Sequence, residues 1–329
     1  MSDVRGTRAL VTGADGFIGS HLVERLVSEG ADVRALCLYN SQGTPGWLTS
    51  SSARKSVDLR LGDIRDAEWA SEVCRDIDVV FHLAALIAIP YSYAAPRSFV
   101  DTNVTGTLNM LEGARRHRVR RFVHTSTSEV YGTPSTLPIR ETHPLRAQSP
   151  YAATKVAADQ LALSYHLGFG VPVTVLRPFN TYGPRQSSRA VLMTILTQLL
   201  AGKKRIALGR LDTKRDMTFV SDTVDGFLRA ATASDIVGEV IQLGTGETHS
   251  IADIFRTARE VLNVDAEVFE EARRLRPDAS EVLVLQSDPS QARQRLGWAA
   301  TTNLREGLGK SAKWLQENLG AYDLDYFHV

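Results

Sequence analysis

Apolar and polar positions follow two rhythms through the first half of the chain. Arg8–Thr12 is a short run suited to a buried strand, after which Ile18, Leu22, Val23, Leu26 and Val27 recur at helical spacing until Gly30. Asp32–Leu36, Val57–Leu61, Asp78–Leu83, Arg121–Thr125 and Pro172–Arg177 read as further strands, and Thr105–Arg116 and Ala152–Leu167 as helices between them. Strands alternating with helices predict an α/β fold, a doubly wound parallel sheet covered on both faces. Beyond Arg177 the pattern loosens at Pro178, Gly183-Pro184 and Gly209, with helices predicted at Ala190–Leu200, Ser250–Leu262 and, after the turn Gly297-Trp298, Leu304–Asn318. This part reads as a smaller, interleaved α/β lobe. Residues 1–178 are expected to form the dinucleotide-type (Rossmann) domain, with returning segments at about 216–245 that include strands near Met217–Val220 and Val240–Leu243. Residues 179–329 are expected to form mainly the substrate lobe.

Composition narrows the function. The 329 residues suit about two domains, and Lys+Arg 38 against Asp+Glu 37 leaves a formal charge of +1. That balance gives no general attraction to polyanions, so no nucleic-acid partner is expected. Cys37 and Cys74 are too few for a disulfide framework or a zinc site, and no metal is expected. The polar start and the short apolar stretch Val79–Ile89 predict no secretion signal, no membrane span and a cytoplasmic address.

Chemistry concentrates in a few places. Thr12-Gly13-Ala14-Asp15-Gly16-Phe17-Ile18-Gly19 joins the first strand to the first helix, with glycines placed for a tight turn and close approach of backbone N–H groups to a pyrophosphate. The second strand ends Leu36-Cys37-Leu38-Tyr39-Asn40, without the acidic residue that usually binds the adenosine ribose, and Arg34 lies too far inside the strand to replace it. NAD is preferred by default, with NADP open. Asp63 and Ile64 could fix the adenine ring; Asp63 as a helix N-cap is an equally open reading. Tyr151 and Lys155 are one helical turn apart on one face, and an ammonium near a phenol favours the phenolate. His82, inside an apolar strand, reads as part of the cofactor site's architecture rather than as an acid or base.

Taken together, Gly13-x-x-Gly16-x-x-Gly19, His82-Leu83-Ala84-Ala85, Ser126 to Gly132, Tyr151-x-x-x-Lys155, Arg177 to Pro184 and Arg215-Asp216 resemble the extended short-chain dehydrogenase/reductases of the NAD-dependent epimerase/dehydratase family, from about residue 7 to 310. Thr127-Ser128-Glu129, Ile89 to Tyr93, Asn180 to Gln186 and Arg215 to Val220 are most similar to its nucleotide-sugar 4,6-dehydratases of the retaining UDP-N-acetylglucosamine (legionaminic) type. The resemblance implies oxidation at C4 of a nucleotide hexose, loss of water across C5 and C6, and hydride return to C6. It implies catalytic roles for Thr127, Ser128, Glu129, Tyr151 and Lys155. It implies NAD contacts from Gly13, Asp15, Gly16, Phe17, Ile18, Gly19, Asn40, Asp63, Ile64, Leu83, Ala84, Ala85, Thr125, Tyr151, Lys155 and Pro178. Substrate contacts are implied for Tyr91, Asn180, Arg185, Arg215 and Arg276, and a homodimer is the implied assembly.

Other readings stay open. Nucleotide-sugar 4-epimerases usually carry small residues after the fifth strand, whereas UDP-glucuronate decarboxylases share Thr-Ser-Glu there but differ around the Tyr/Lys pair. Arg276, in the basic stretch Arg273 to Arg276, could be a solvated surface charge. A scaffold that kept the fold and lost the chemistry would have no need of Thr127, Glu129, Tyr151 and Lys155 together.

Overall fold

The computed structural model describes residues 4–322. Its first part contains strands β1 (Arg8–Thr12), β2 (Asp32–Leu38), β3 (Val57–Gly62), β4 (Val79–His82), β5 (Arg121–Thr125) and β6 (Val173–Pro178). The helices between them are α1 (Phe17–Ser28), α2 (Ala67–Glu72), α3 (Ile89–Ala94), α4 (Pro96–Phe99), α5 (Gly106–Arg116) and α6 (Pro150–Phe169). A π-helical segment, Val100–Thr105, runs directly into α5.

Side chains alternate across each strand, so both faces need cover. Ala9 and Val11 of β1 join the core beneath α1, while Leu10 points the other way into a cluster with Met110 and Leu111 of α5 and Ala162 of α6. The second part contributes β7 (Asn180–Tyr182), α7 (Val191–Leu200), β8 (Arg205–Leu208), β9 (Lys214–Arg215), β10 (Met217–Phe219), α8 (Val220–Thr232) and β11 (Val240–Leu243). β11 pairs in parallel with β6, completing a seven-stranded parallel sheet in the order β11-β6-β5-β4-β1-β2-β3. The order reverses between β1 and β4, which opens a crevice at their C-terminal ends, the usual ligand position in such sheets.

One expected strand goes elsewhere. Met217–Phe219 pairs in parallel with Asn180–Tyr182 in a separate two-stranded ribbon, not with the main sheet. β6 already has β11 on its free side, so the ribbon sits beyond the sheet and carries Asn180 and Asp216 past its end. The remaining helices are α9 (Ile251–Leu262), α10 (Ser290–Leu296) and α11 (Leu304–Asn318). α9 begins with a reciprocal cap between Ser250 and Asp253, and α10 ends on Gly297 in the left-handed conformation. The core is continuous from α1 and α8 into α7, α9 and α11, so the two parts are packed as one body. Among the described residues no helix is long and apolar enough to cross a membrane.

Candidate active site

The dinucleotide loop is shaped by contacts that exclude side chains. Gly13 has φ +67, and a Cβ there would lie 2.9 Å from Ala84 N; at Gly19 a Cβ would lie 2.1 Å from Gly13 O. The first contact closes the β1 and β4 ends together, and the second lets α1 start directly against the loop. Thr12 Oγ1 ties these ends by accepting from Leu83 N and Ala84 N at 3.1 Å each. His82, fully buried, lies 2.9 Å from Thr12 Oγ1 through Nδ1 and 3.0 Å from Thr107 Oγ1 through Nε2. Burial holds its pKa well below the ordinary value, so it is neutral and architectural.

At the adenosine end the residues separate in role. Ile64 is buried against Gly106 at the start of α5. Asp63 is not the helix N-cap: Asp66 caps α2 by accepting from Trp69 N, and Asp63 instead pairs with Arg65 at 2.5 Å. Asn40 does not reach outward either. Its amide bridges Leu38 O and Thr44 O and its Oδ1 accepts from the backbone of Gln42 and Thr44, a short side chain closing its own turn. Asp15 lies with Oδ2 3.4 Å from Leu38 N, and Phe17 and Ile18 pack from the first turn of α1 against the core.

The chemistry end is built by β5 and α6. Ser149 caps α6 by accepting from Ala152 N, with Pro150 opening the helix, so Tyr151 and Lys155 occupy the first two turns on one face. Tyr151 is 7% exposed and packs edge-on to Phe99, whose other neighbour is the Tyr91 ring at 6.0 Å. Burial pushes the Tyr151 pKa up, a hydrogen bond with the Thr127 side chain works downward, and the charges of Glu129 and Asp159 push it further up. The Lys155 Nζ donates to Thr125 O at 2.6 Å, and burial brings its pKa down to about 8. Thr127 caps the turn Ser128–Tyr131 by accepting from Glu129 N, which leaves Ser128 buried and Glu129 half-buried at the mouth.

Across the crevice Arg215 is buried and its Nη2 lies 3.2 Å from Glu281 Oε1; Arg276 Nη1 lies 3.9 Å from the same oxygen. Burial lowers the Arg215 pKa, Glu129's charge raises it and Arg276's lowers it, so these groups share one electrostatic region. Arg276 is partly buried, with Nη1 turned inward toward Glu281. Asn180 stands beside Asp216, its N–H donating to Asp216 O. Pro178 ends β6 opposite Leu243. Arg185 is the outlier: its guanidinium donates to Ser20 Oγ and pairs with Glu24 at 2.8 Å, fastening the second part to α1 instead of facing the two other arginines.

Two features had no clear mark in the sequence. Glu281, the shared partner of Arg215 and Arg276, lies in a stretch without periodicity. Asp159, one turn beyond Lys155, was signalled by its spacing alone.

The residues fit NAD. The loop at Gly13 and Gly19 leaves room only for backbone, and two buried oxygens on the crevice, Thr125 Oγ1 and Asn180 Oδ1, have no hydrogen-bond partner among the described residues. A family model described as GDP-mannose 4,6 dehydratase matches residues 10–311. The chain is 33% identical to the dTDP-glucose 4,6-dehydratase of Streptomyces griseus, over 95% of each protein. It is 34% identical to the UDP-glucose 4-epimerase of Mycolicibacterium smegmatis, over 94% of this chain and 98% of that one. Among solved structures, DesIV, a dTDP-glucose 4,6-dehydratase from Streptomyces venezuelae with NAD and TYD bound, matches with a TM-score of 0.87 at 30% identity, covering 96% of this chain and 99% of DesIV.

Proposed function

Because this chain belongs to the NAD-dependent family of nucleotide-sugar dehydratases and epimerases described by the GDP-mannose 4,6 dehydratase model, we propose that it is a 4,6-dehydratase that converts a nucleotide hexose to its 4-keto-6-deoxy form. The observation that carries this reading is the position of Glu129. It follows Thr127 on the turn after β5, and its charge acts both on Tyr151 and on Arg215 across the crevice. A 4-epimerase leaves the C5 proton in place and needs no carboxylate there.

NAD, when bound, supplies the acceptor for the C4 hydride and the donor that returns it to C6. Tyr151, hydrogen-bonded to Thr127, takes the proton of the sugar's 4-hydroxyl. Lys155 supplies positive charge from beneath, fixed by Thr125 O. Once C4 is a ketone the C5 proton is acidic, and Glu129 removes it as the C6 hydroxyl leaves; Ser128 serves as a relay for the proton that the leaving group needs. Arg215 and Arg276 hold the diphosphate, Asn180 the sugar or phosphate, and Tyr91 walls the sugar beside Phe99. From the sequence resemblance, UDP-N-acetylglucosamine is the first substrate to test. A cytoplasmic homodimer belongs to the same proposal, and sedimentation tests the assembly.

The deciding experiment incubates the protein with UDP-, dTDP-, GDP- and CDP-hexoses and reads products by mass. A loss of one water supports the dehydratase; an isomer of unchanged mass supports a 4-epimerase, and loss of carbon dioxide from a uronate a decarboxylase. Glu129→Gln should stop water loss while still permitting C4 oxidation, seen as reduced nicotinamide absorbance. Full product from Glu129→Gln would remove the proposed role of the carboxylate.

A further inference from the structure

We propose that Asp15 takes the place of the acidic residue missing from the end of β2, holding the adenosine ribose diol of the dinucleotide and making the chain selective for NAD over NADP.

The argument begins with what the adenosine end has lost. β2 closes on Leu38, which with Tyr39 presents an apolar, largely exposed edge and no acceptor side chain. A ribose diol still needs an acceptor for two O–H groups, because burying them unpaired is costly. The side chains that sequence position offers are engaged. Asp63 is closed by Arg65 and Asn40 by its own turn. Asp15 differs. It comes from the dinucleotide loop rather than the strand, yet Oδ2 lies 3.4 Å from Leu38 N, which sets the carboxylate at the C-terminal end of β2.

That backbone N–H is a long contact and, among the described residues, the only hydrogen bond to the carboxylate from another residue. No Lys or Arg among the described residues lies within ion-pair distance of it. The Asp15 backbone, by contrast, is firmly fixed: its carbonyl accepts from Trp47 N at 3.1 Å, and a Cβ on Gly46 would overlap it. The result is a half-buried carboxylate on a rigid support with acceptor capacity to spare. Burial raises its pKa, opposed by the backbone N–H groups of Asp15 and Leu38.

The same placement disfavours a 2′-phosphate, which would bring a second anion against Asp15. The nearby arginine of β2 offers no relief. Arg34 Nε pairs with Asp58 at 2.8 Å and its Nη1 donates to Val73 O and Arg75 O, so it is committed on the far side of the strand.

The test reads binding rather than turnover, so it is independent of which reaction the chain catalyses. Calorimetry on protein stripped of cofactor should show NAD binding at least about 100-fold tighter than NADP, and 2′-deoxyadenosine NAD binding about tenfold weaker than NAD. In Asp15→Asn the NAD affinity should fall about tenfold and the NAD-to-NADP ratio should narrow by at least the same factor. Adding Leu38→Asp to that variant should restore the ratio by returning an acid to the strand end. Equal losses for NAD and NADP in Asp15→Asn, or an unchanged ratio, would overturn the proposal. Should the variant fail to fold, the wild-type chain decides alone: indifference to the 2′-hydroxyl would sink the idea.

Discussion

Two charged regions flank Lys155 and Glu129, and they are built to opposite rules. Behind α6, Asp159 is fully buried, and its Oδ2 accepts from Ser126 Oγ at 2.8 Å and from Arg177 Nε and Nη2 at 3.1 and 2.9 Å. Its Oδ1 lies 3.3 Å from His124 Nε2. Arg177 also donates to the Tyr131 hydroxyl, as does Gln242. Across the crevice, Glu281 is shared by Arg215 and Arg276 at 3.2 and 3.9 Å, and Arg276 Nη1 is buried without a hydrogen-bond partner among the described residues. The first set pairs its two full charges, Asp159 and Arg177, at hydrogen-bond distance and links α6 to β5 and β6, leaving Asp159 Oδ1, the His124 ring nitrogens and Gln242 Oε1 without a hydrogen-bond partner among the described residues; the second has positive charge to spare. A charge-paired buried network fixes geometry before any ligand arrives, whereas an underpaired one is ready to accept an anion.

The sharpest way to break this comparison is Arg177→Met. Removing one partner of a buried pair leaves Asp159 charged and unsatisfied, so stability should fall by about 3–5 kcal/mol, read from the denaturant midpoint. Although burial works upward on Asp159, the approach of His124 and the nearby Arg177 charge hold it below the usual carboxylate range, and because burial lowers the His124 pKa, Arg177 is the cation on which the network depends. A loss below about 1 kcal/mol would show that the cluster is not the anchor described.

Lys155 stands between the two regions, and pH separates its effects. Burial, opposed by the Asp159 charge, moves its pKa from 10.5 to about 8. In the unfolded chain the lysine keeps its proton to about 10.4. Between these values the unfolded state binds more protons, so this residue makes stability rise with pH, by roughly 3 kcal/mol in all at most. Activity should move the other way, because the ammonium beneath the site is lost above about pH 8. Lys155→Met should abolish that part of the stability slope, compared by denaturation at pH 7.5 and 10. A slope unchanged by the substitution would remove Lys155 from the account.

Arg215→Met probes the open region. Glu281 keeps Arg276 as a neighbour, so stability should fall by less than for Arg177→Met, about 2 kcal/mol, while affinity for UDP or dTDP should fall by about 2 kcal/mol, roughly 30-fold. If this substitution cost as much stability as Arg177→Met, the two regions would not differ in kind.

The catalytic edge between the two regions was more legible in the sequence than either network. Strand ends and helix starts place Thr127, Tyr151 and Lys155 by local rules of spacing, and α6 begins at Pro150 behind the Ser149 cap, two residues before the expected Ala152. Asp159 lies on the same face one turn later, but only the packed sheet brings Arg177 and His124 to it. Elsewhere around the crevice long-range contacts decide. Asn40 and Arg185 occupy motif positions yet are taken by contacts at their own sites, with the turn at 40–44 and with Glu24. Glu281 joins Arg215 through strand pairing of Val284–Leu285 with β9, a long-range event with no local signature. Met217–Phe219 likewise has the pattern of a sheet strand, and only the arrival of β11 beside β6 sends it to the ribbon with β7.

Arg276 gives the finest test of the comparison. Its contact with Glu281 is 3.9 Å, at the edge of an ion pair, and its side chain is 28% exposed against 8% for Arg215. A partly hydrated guanidinium has less to gain from a phosphate than a buried one, because water still competes for its donors. Arg276→Ala should therefore weaken nucleotide diphosphate binding by about 1 kcal/mol, roughly fivefold, with no measurable change in the denaturant midpoint. The loss should shrink further at high salt, since a partly exposed charge is screened more than a buried one. If Arg276→Ala instead weakened binding as much as Arg215→Met, and did so equally at low and high salt, the anion would be enclosed by both arginines. The open region would then close over its ligand as Arg177 closes on Asp159.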